Sequence, residues 1–431
     1  MQGNERLNKR LRVLPQNLAM SMVHPAIKII GVGWMTLIAA CANTRPPEQP
    51  SRLGYDMLTR TARAIDSQGA IQAVDSTLIL RHLSVNPSRP LNVLSISGGG
   101  NGGAFGAGAL AGLSETGTRP TFDLVTGISS GALLAPFAFL GDRWDSQMKA
   151  AMQSSQMRHL FKMRGISAIN GSSIYRGTPL EALVRSCIGP DELQAIAAES
   201  ARGRLLIVAT TDLDSTQTIF WDMSAIAQHG GEHGLKLFRD IIVASASVPG
   251  YFPPVLMTVS DGGVTRREMH VDGAVLRPFV IFPSPFSNLS VTTRQALKEA
   301  MLYVLIDGSL AISPRVTPNR ASAIVGRSIS ATLKQMIAQN LDEIDALQRE
   351  TSIHVSVAAM PPQAQYDDTF DFRPQTLERL YREGHDCAAD GRLWTHLERA
   401  TQAARGTASP QNPLPCGRAS VLSSQSRGAL Q

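Results

Sequence analysis

The chain has 431 residues, 43% of them hydrophobic, and a formal net charge of +6. That is enough apolar material for one large core with short appendages. The charge is uneven: before Cys41, five bases (Arg6, Lys9, Arg10, Arg12, Lys28) face only Glu5, a balance of +4 that leaves +2 for the rest. A nearly neutral body with 5% aromatic residues and no basic stripe gives no footing for a nucleic-acid partner.

The positive N-terminus runs into Ile29 to Ala40, an apolar stretch too short to span a bilayer and closed by small residues, in the order of a secretory signal. Its last residues, Ile38-Ala39-Ala40-Cys41, resemble the bacterial lipobox, in which the cysteine is lipidated and becomes the mature N-terminus. A start at Met20 or Met22 gives the charged region a more usual length. The expected organisation is a signal peptide over 1–40, lipidated Cys41 and a Pro-rich tether over 41–53, one α/β domain over 54–404 and a poorly ordered tail over 405–431. Ala42 after the cysteine, in place of aspartate, implies the outer membrane with the domain facing the periplasm.

The first strand-like run, Leu91 to Ser97, ends in GGGNGG (Gly98 to Gly103) and opens into a helix from Ala104 to Leu113. Backbone N–H groups gathered at such a helix start suit a developing oxyanion. The stretch also satisfies G-x-G-x-x-G, with Asp123 about twenty positions on, as in a dinucleotide fingerprint. There, however, the acid ends the second strand, whereas Asp123 precedes Leu124 to Thr126, which run into the next motif. The strand-like Phe122 to Thr126 turns at GISSG (Gly127 to Gly131) into an Ala/Leu-rich helix reaching Leu140. This fits G-x-S-x-G, a nucleophile elbow with Ser129 at its apex.

Further on, Thr178 to Cys187 reads as a helix, Leu205 to Thr211 and Thr218 to Trp221 as strands, and Leu237 to Ala246 as a helix. His229, Glu232 and His233 spell H-x-x-E-H, a zinc pattern that needs a helix; Gly230, Gly231 and Gly234 predict a flexible loop instead, and no metal is assigned. The strand Glu268 to Asp272 ends in Asp272-Gly273-Ala274. His270, on the same strand face as Asp272, is either a hydrogen-bonded strand residue or a support for that aspartate. Strands Leu302 to Asp307 and His354 to Ala358 flank a long helix, Arg320 to Arg349, and Leu377 to Ala403 reads as helical. The alternation predicts α/β layers with crossover connections and a mostly parallel sheet.

A free hydroxyl is a weak nucleophile, so Ser129 needs a base. On order alone, Asp272 can serve with one of His354, His385 or His396 behind it, as in an α/β-hydrolase triad. The ordered set GGGNGG, GISSG and DGA, with Ala209 to Asp214 (ATTDLD) and Ala244 to Pro254 (ASASVPGYFPP), resembles the patatin-like phospholipase family from about Leu91 to Trp394. The resemblance implies a three-layer sandwich around a mostly parallel sheet. It implies a serine acyl hydrolase acting on membrane phospholipids or related acyl lipids, through a Ser129–Asp272 dyad without histidine and without cofactor or metal. The oxyanion would face the N–H groups of Gly98, Gly99, Gly100 and Gly103, with Gly127 and Gly131 shaping the elbow. One departure stands out: the family commonly carries Arg or Lys just before the loop's last glycine, where this chain has Gly102. A catalytically idle lipid-binding lipoprotein, a thioesterase or an acyltransferase would carry the same constellation.

Beyond Cys41 three cysteines remain, and an oxidising compartment permits one bridge. Cys187 has the more apolar setting, so Cys387 with Cys416 is the expected pair. The tail after Arg405 is rich in Ser, Pro, Gln and Gly and is expected to be ordered only where such a bridge pins it.

Overall fold

Apolar strands form the parallel centre of a ten-stranded sheet. The computed structural model describes residues 63–65, 89–153, 155–165, 171–261, 264–281, 300–311, 316–351, 353–361, 368–408, 414 and 416; Cys41, the signal and the tether lie outside them. All of these but Gly171 belong to one compact unit. In chain order the elements are β1 (Arg63–Ile65), β2 (Asn92–Ile96), α1 (Gly103–Glu115), β3 (Leu124–Gly127), α2 (Ser130–Leu140), α3 (Asp145–Gln153), α4 (Thr178–Cys187) and α5 (Pro190–Ala201). Next come β4 (Leu205–Asp212), β5 (Gln217–Asp222), α6 (Met223–His229), α7 (Gly231–Ser245), β6 (Val255–Asp261) and β7 (Val264–Asp272). The last are β8 (Met301–Ser309), α8 (Ala321–Thr351), β9 (His354–Met360), α9 (Pro374–Ala389), β10 (Thr395–His396) and α10 (Leu397–Ala404).

The strand order is β1-β5-β4-β3-β2-β8-β9-β10. From β4 to β9 every neighbour is parallel, and the sheet turns antiparallel at both edges. Successive residues of one strand feed opposite cores. Leu94, Val125, Leu206 and Leu305 pack with α1, α2 and α7, while Val93, Leu124, Leu205 and Val304 pack with Leu341 of α8 and Leu397 of α10. Burial on both faces is why these strands read as unbroken apolar runs, and it makes the three layers expected of the sequence. Against α1 lies α9, backbone to backbone: a Cβ on Gly108 would sit 1.9 Å from the Tyr381 carbonyl oxygen, and one on Gly384 2.1 Å from that of Phe105.

Three expectations change. The H-x-x-E-H segment is not a loop: α6 ends at His229, Gly230 and Gly231 take φ of 66° and 68°, and the chain enters α7 at once. Two glycines at positive φ make a tight corner between helices, so α7 begins at Gly231 and not at Leu237. The helical stretch expected over Leu377 to Ala403 divides into α9 and α10 around β10, with Gly391 at φ 69° following the end of α9. Strand β6, behind Pro253-Pro254, was not expected. Cys387 and Cys416 are bonded, Cys187 is free, and Leu414 and Cys416 are buried.

Candidate active site

Strand β4 receives β5 along one edge and two strands along the other. Its first half pairs in parallel with β3, Gly127 opposite Val208; its second half pairs antiparallel with β7, Asp272 opposite Thr210. β3 and β7 therefore run toward each other and stop on either side of Ala209. The elbow leaves β3 at that gap, and the Asp-Gly turn leaves β7 there.

Ser129 sits at φ 56°, ψ −120°, a region that L-residues seldom occupy and that costs on the order of 1–3 kcal/mol. The turn is held from several sides. The Ser129 N–H donates to Ser245 Oγ (3.1 Å), and that hydroxyl donates to the Ala209 carbonyl (2.8 Å), so the last residue of α7 ties the elbow to β4. A Cβ on Gly127 would lie 2.4 Å from the Gly131 carbonyl oxygen, and one on Gly131 2.5 Å from that of Ile96. Both flanking glycines are thus demanded by contact.

Asp272 is 2% exposed. Its Oδ1 accepts the Ala274 N–H (2.8 Å), its own N–H donates to the Ser247 carbonyl (3.0 Å), and the Ser129 side chain lies against its carboxyl. Burial pushes its pKa up to about 7, and the Ser129 hydroxyl and the Ala274 N–H pull against that rise. The following glycine is needed for close approach: a Cβ on Gly273 would stand 2.6 Å from the Ala209 carbonyl oxygen.

The glycine loop closes the group. A Cβ on Gly98 would be 3.1 Å from Cβ of Ser129 and 3.3 Å from Cβ of Ala274, so the three sequence motifs meet at one point. Several loop N–H groups are already engaged: Gly98 donates to Pro278 (3.0 Å), Asn101 to Thr369 (2.9 Å), Gly102 to Gly99 (3.2 Å) and Gly103 to Asn101 and Gly100, all at carbonyl oxygens. Among the described residues the N–H groups of Gly100 and Ser130 have no acceptor. The Asn101 side chain holds the segment after β9 through the carbonyls of Asp368 (2.8 Å) and Asp371 (2.9 Å).

A second buried carboxyl lies beneath this loop. Asp307, near the end of β8, is fully buried, and burial pushes its pKa up to about 8 against the Ser130 hydroxyl, which donates to Oδ2 (3.0 Å). Among the described residues Oδ1 has no partner, and Gly99 and Gly102 rest on the Asp307 backbone carbonyl. Sequence reasoning took Asp307 only as the end of a strand; the available signal was an acid closing the apolar run Met301 to Ile306.

None of the three candidate histidines is brought to Ser129. His354 opens β9 in register with Met301 and, through it, with Asn92, at the opposite ends of the strands. His385 bonds Glu115 (2.7 Å) at the far end of α1 from the glycine loop, and His396 lies on the edge strand β10. His270 is fully buried, its Nδ1 3.0 Å from Thr210 Oγ1 and its Nε2 3.1 Å from Glu268. Glu268, a carboxylate, accepts from Nε2–H, while Thr210 Oγ1 accepts from Trp221 Nε1 (2.9 Å) and meets Nδ1. His270 is a satisfied strand residue whose partner Thr210 stands opposite Asp272. Asp123 sits at the start of β3, accepting the Asn92 N–H (2.8 Å), away from the loop it would serve in a dinucleotide fold.

The family model described as patatin-like phospholipase matches residues 94–283, from β2 to just beyond the Asp-Gly-Ala turn. Among solved structures, VipD from Legionella pneumophila is similar at 12% identity and a TM-score of 0.37, covering 73% of this chain and 67% of that one. The human GIVD cytosolic phospholipase A2 is similar at 11% identity and a TM-score of 0.36, covering 84% of this chain and 66% of that one. The chain thus spans about two thirds of the length of each. A comparison with curated protein sequences finds no match.

Proposed function

Residues 94–283 are a patatin-like phospholipase domain, of the lipid acyl hydrolase class, and from that premise we propose that Ser129 and Asp272 are its reacting pair and cleave ester bonds of phospholipids or related acyl lipids. Asp272 takes the Ser129 proton as Oγ attacks the ester carbonyl, and it returns that proton to the departing alcohol. Water then attacks the acyl-serine, Asp272 again accepts the proton, and the fatty acid leaves with Ser129 restored. A pKa of about 7 suits a group that must both take and give a proton near neutrality. The oxyanion faces the start of α1 and α2, where Gly98 abuts Ser129 and the N–H groups of Gly100 and Ser130 are without acceptors among the described residues. This chemistry calls on protein groups alone.

The observation that carries the reading is the placement of a strained, buried serine against a buried carboxyl whose pKa its side chain lowers. It also weighs against an idle lipid-binding role, which has no use for either. Mass spectrometry of lipids incubated with the full chain tests it. Free fatty acid and the matching lyso-lipid should form with the parent and not with Ser129→Ala; equal products from both would end the reading.

The N-terminal sequence supports a second part of the proposal, that Cys41 is lipidated and holds the protein at the outer membrane, facing the periplasm. Cys41→Ser should release or misprocess the protein on fractionation, and retention like the parent's would discard the anchor. No helix among the described residues is long and apolar enough to cross a membrane.

A further inference from the structure

The rim around the site carries single apolar tips set among cations. Lys162 to Arg164 and Ile174 to Arg176 form a small antiparallel ladder, with Arg164 N–H to Ile174 (3.0 Å) and Arg176 N–H to Lys162 (3.0 Å). Phe161 and Tyr175 turn inward and meet edge to face at 4.9 Å, while Met163 is 65% and Ile174 40% exposed. The ladder is strapped to the segment after α7 by Ile174 N–H to Gly250 (2.8 Å) and Tyr175 N–H to Tyr251 (2.9 Å), and that segment's Ser247 carbonyl holds Asp272. Phe370 stacks on Tyr251 at 4.2 Å, next to Thr369, whose carbonyl holds the glycine loop. The Tyr251 hydroxyl in turn lies 3.0 Å from where a Gly326 Cβ would sit, and beside it in the first turns of α8 Ile324 and Val325 are 47% and 51% exposed. Tyr251 therefore joins two exposed apolar ridges at the end of the sheet where Ser129 and Asp272 meet.

Each ridge has exposed bases: Lys162 and Arg176 on the ladder, Arg320 just before α8. None of the three has an acidic partner among the described residues, whereas of the nearby acids Asp371 is taken by Arg373 and Asp368 faces Tyr251. Isolated apolar tips with cations between them suit an interface that is apolar inside and negative at its surface. We propose that this rim docks on an anionic lipid surface, the tips entering the acyl boundary and Lys162, Arg176 and Arg320 meeting the headgroups; the proposal deepens the acyl-hydrolase reading and rests on it. The loop itself offers no such cation, since Gly102 stands where a base is common in the family. On this chain the recognition of negative charge moves from the loop to the rim.

The test uses the full chain with Cys41→Ser and Cys187→Ser, and Met163→Cys carrying an environment-sensitive fluorophore. Vesicles of phosphatidylglycerol should shift its emission to the blue, and vesicles of phosphatidylcholine should do so at least about tenfold more weakly in apparent affinity. Lys162→Glu with Arg176→Glu and Arg320→Glu should abolish that preference while leaving melting behaviour and turnover of a dispersed short-chain ester unchanged. No shift on phosphatidylglycerol, or an equal shift on both lipids, overturns the proposal. Absence of ester turnover in the parent, with the lipid-dependent shift intact, would instead sink the acyl-hydrolase reading and leave the docking surface standing.

Discussion

The two ends of α2 handle buried polarity in opposite ways. At its C-terminus Arg119 donates to the carbonyls of Phe137 (3.2 Å) and Ala138 (3.1 Å) and pairs with Asp145 (2.6 Å). Arg204 donates to the carbonyls of Phe122 (2.7 Å) and Phe139 and pairs with Glu199 (2.7 Å). Burial lowers the pKa of both guanidiniums while Asp145 and Glu199 hold them up. Cations here match the negative end of the helix dipole. At the N-terminus, among the described residues, no side chain caps the helix, the Ser130 N–H has no acceptor and Asp307 Oδ1 has no partner, and both carboxyls are pushed up toward neutrality. A helix N-terminus favours an ionised acid, so the upward shifts mean that burial outweighs the dipole. One end is filled by cations paired with acids and carbonyls, with only Arg119 Nε unpartnered among their described side-chain atoms, and the other keeps donors and protons in reserve.

Substitutions at the reacting end should remove activity and spare the fold. Ser129→Ala and Asp272→Asn are each expected to lower ester turnover by about a thousandfold or more, with melting little changed, as for members of a reacting unit. Gly98→Ala comes next, on the order of a hundredfold in kcat, because the added methyl presses on Ser129 and Ala274 at 3.1 and 3.3 Å. Gly100 is the poorer probe: its φ of 61° and the Thr369 carbonyl oxygen 2.3 Å from a built Cβ make any side chain disturb the loop wholesale. At the other end the pattern should invert. Arg204→Met leaves the Phe139 and Phe122 carbonyls without this donor and Glu199 with Arg202 alone, which costs about 1–3 kcal/mol. It should lower Tm while turnover per folded molecule holds, and a parallel loss of kcat would mean that the ends are not separable.

Much of this division was legible in the sequence. The elbow, the glycine loop and the Asp-Gly-Ala turn each announce themselves by residues that geometry forces, as the contacts at Gly127, Gly131 and Gly273 show. The central strands were visible because both faces are buried. Asp307 was not, since a lone acid at a strand end has no local pattern and its position under the loop depends on β8 joining β2. Arg119 and Arg204 were hidden likewise, because the carbonyls they satisfy belong to other segments. The H-x-x-E-H corner misled because paired glycines were read as flexibility when they serve a fixed turn.

Acidity gives a finer test. As the proposed base, Asp272 would have to be ionised to accept a proton, so kcat/KM should rise tenfold per pH unit below about 7 and level above it. For stability the sign is the reverse. Asp272 and Asp307 hold protons more tightly folded than unfolded, where an aspartate titrates near about 4. Their contribution is full below that value and is lost as pH rises through about 7 and 8. Asp307→Asn should therefore flatten the decline, raising Tm by a few degrees at pH 9; an unchanged pH dependence of Tm would mean that Asp307 is not neutral in the fold. The smallest effects belong to the histidines remote from both ends, with His354→Ala, His385→Ala and His396→Ala each keeping activity within about tenfold. A collapse of any one, at unchanged Tm, would restore the triad.

The head-on meeting of β3 and β7 along β4 also sets when the proposed reacting pair is complete. Ser129 lies between β3 and α2, but Asp272 follows only after five helices (α3 to α7) and three strands (β4 to β6) in the chain, and the elbow's tie to Ser245 likewise waits on α7. A one-residue slip of β7 along β4 would turn Asp272 to the other face of the sheet. A chain still emerging, or trapped half-assembled, thus holds Ser129 without the carboxyl proposed as its base, so that correct topology would act as a safety catch on the proposed chemistry.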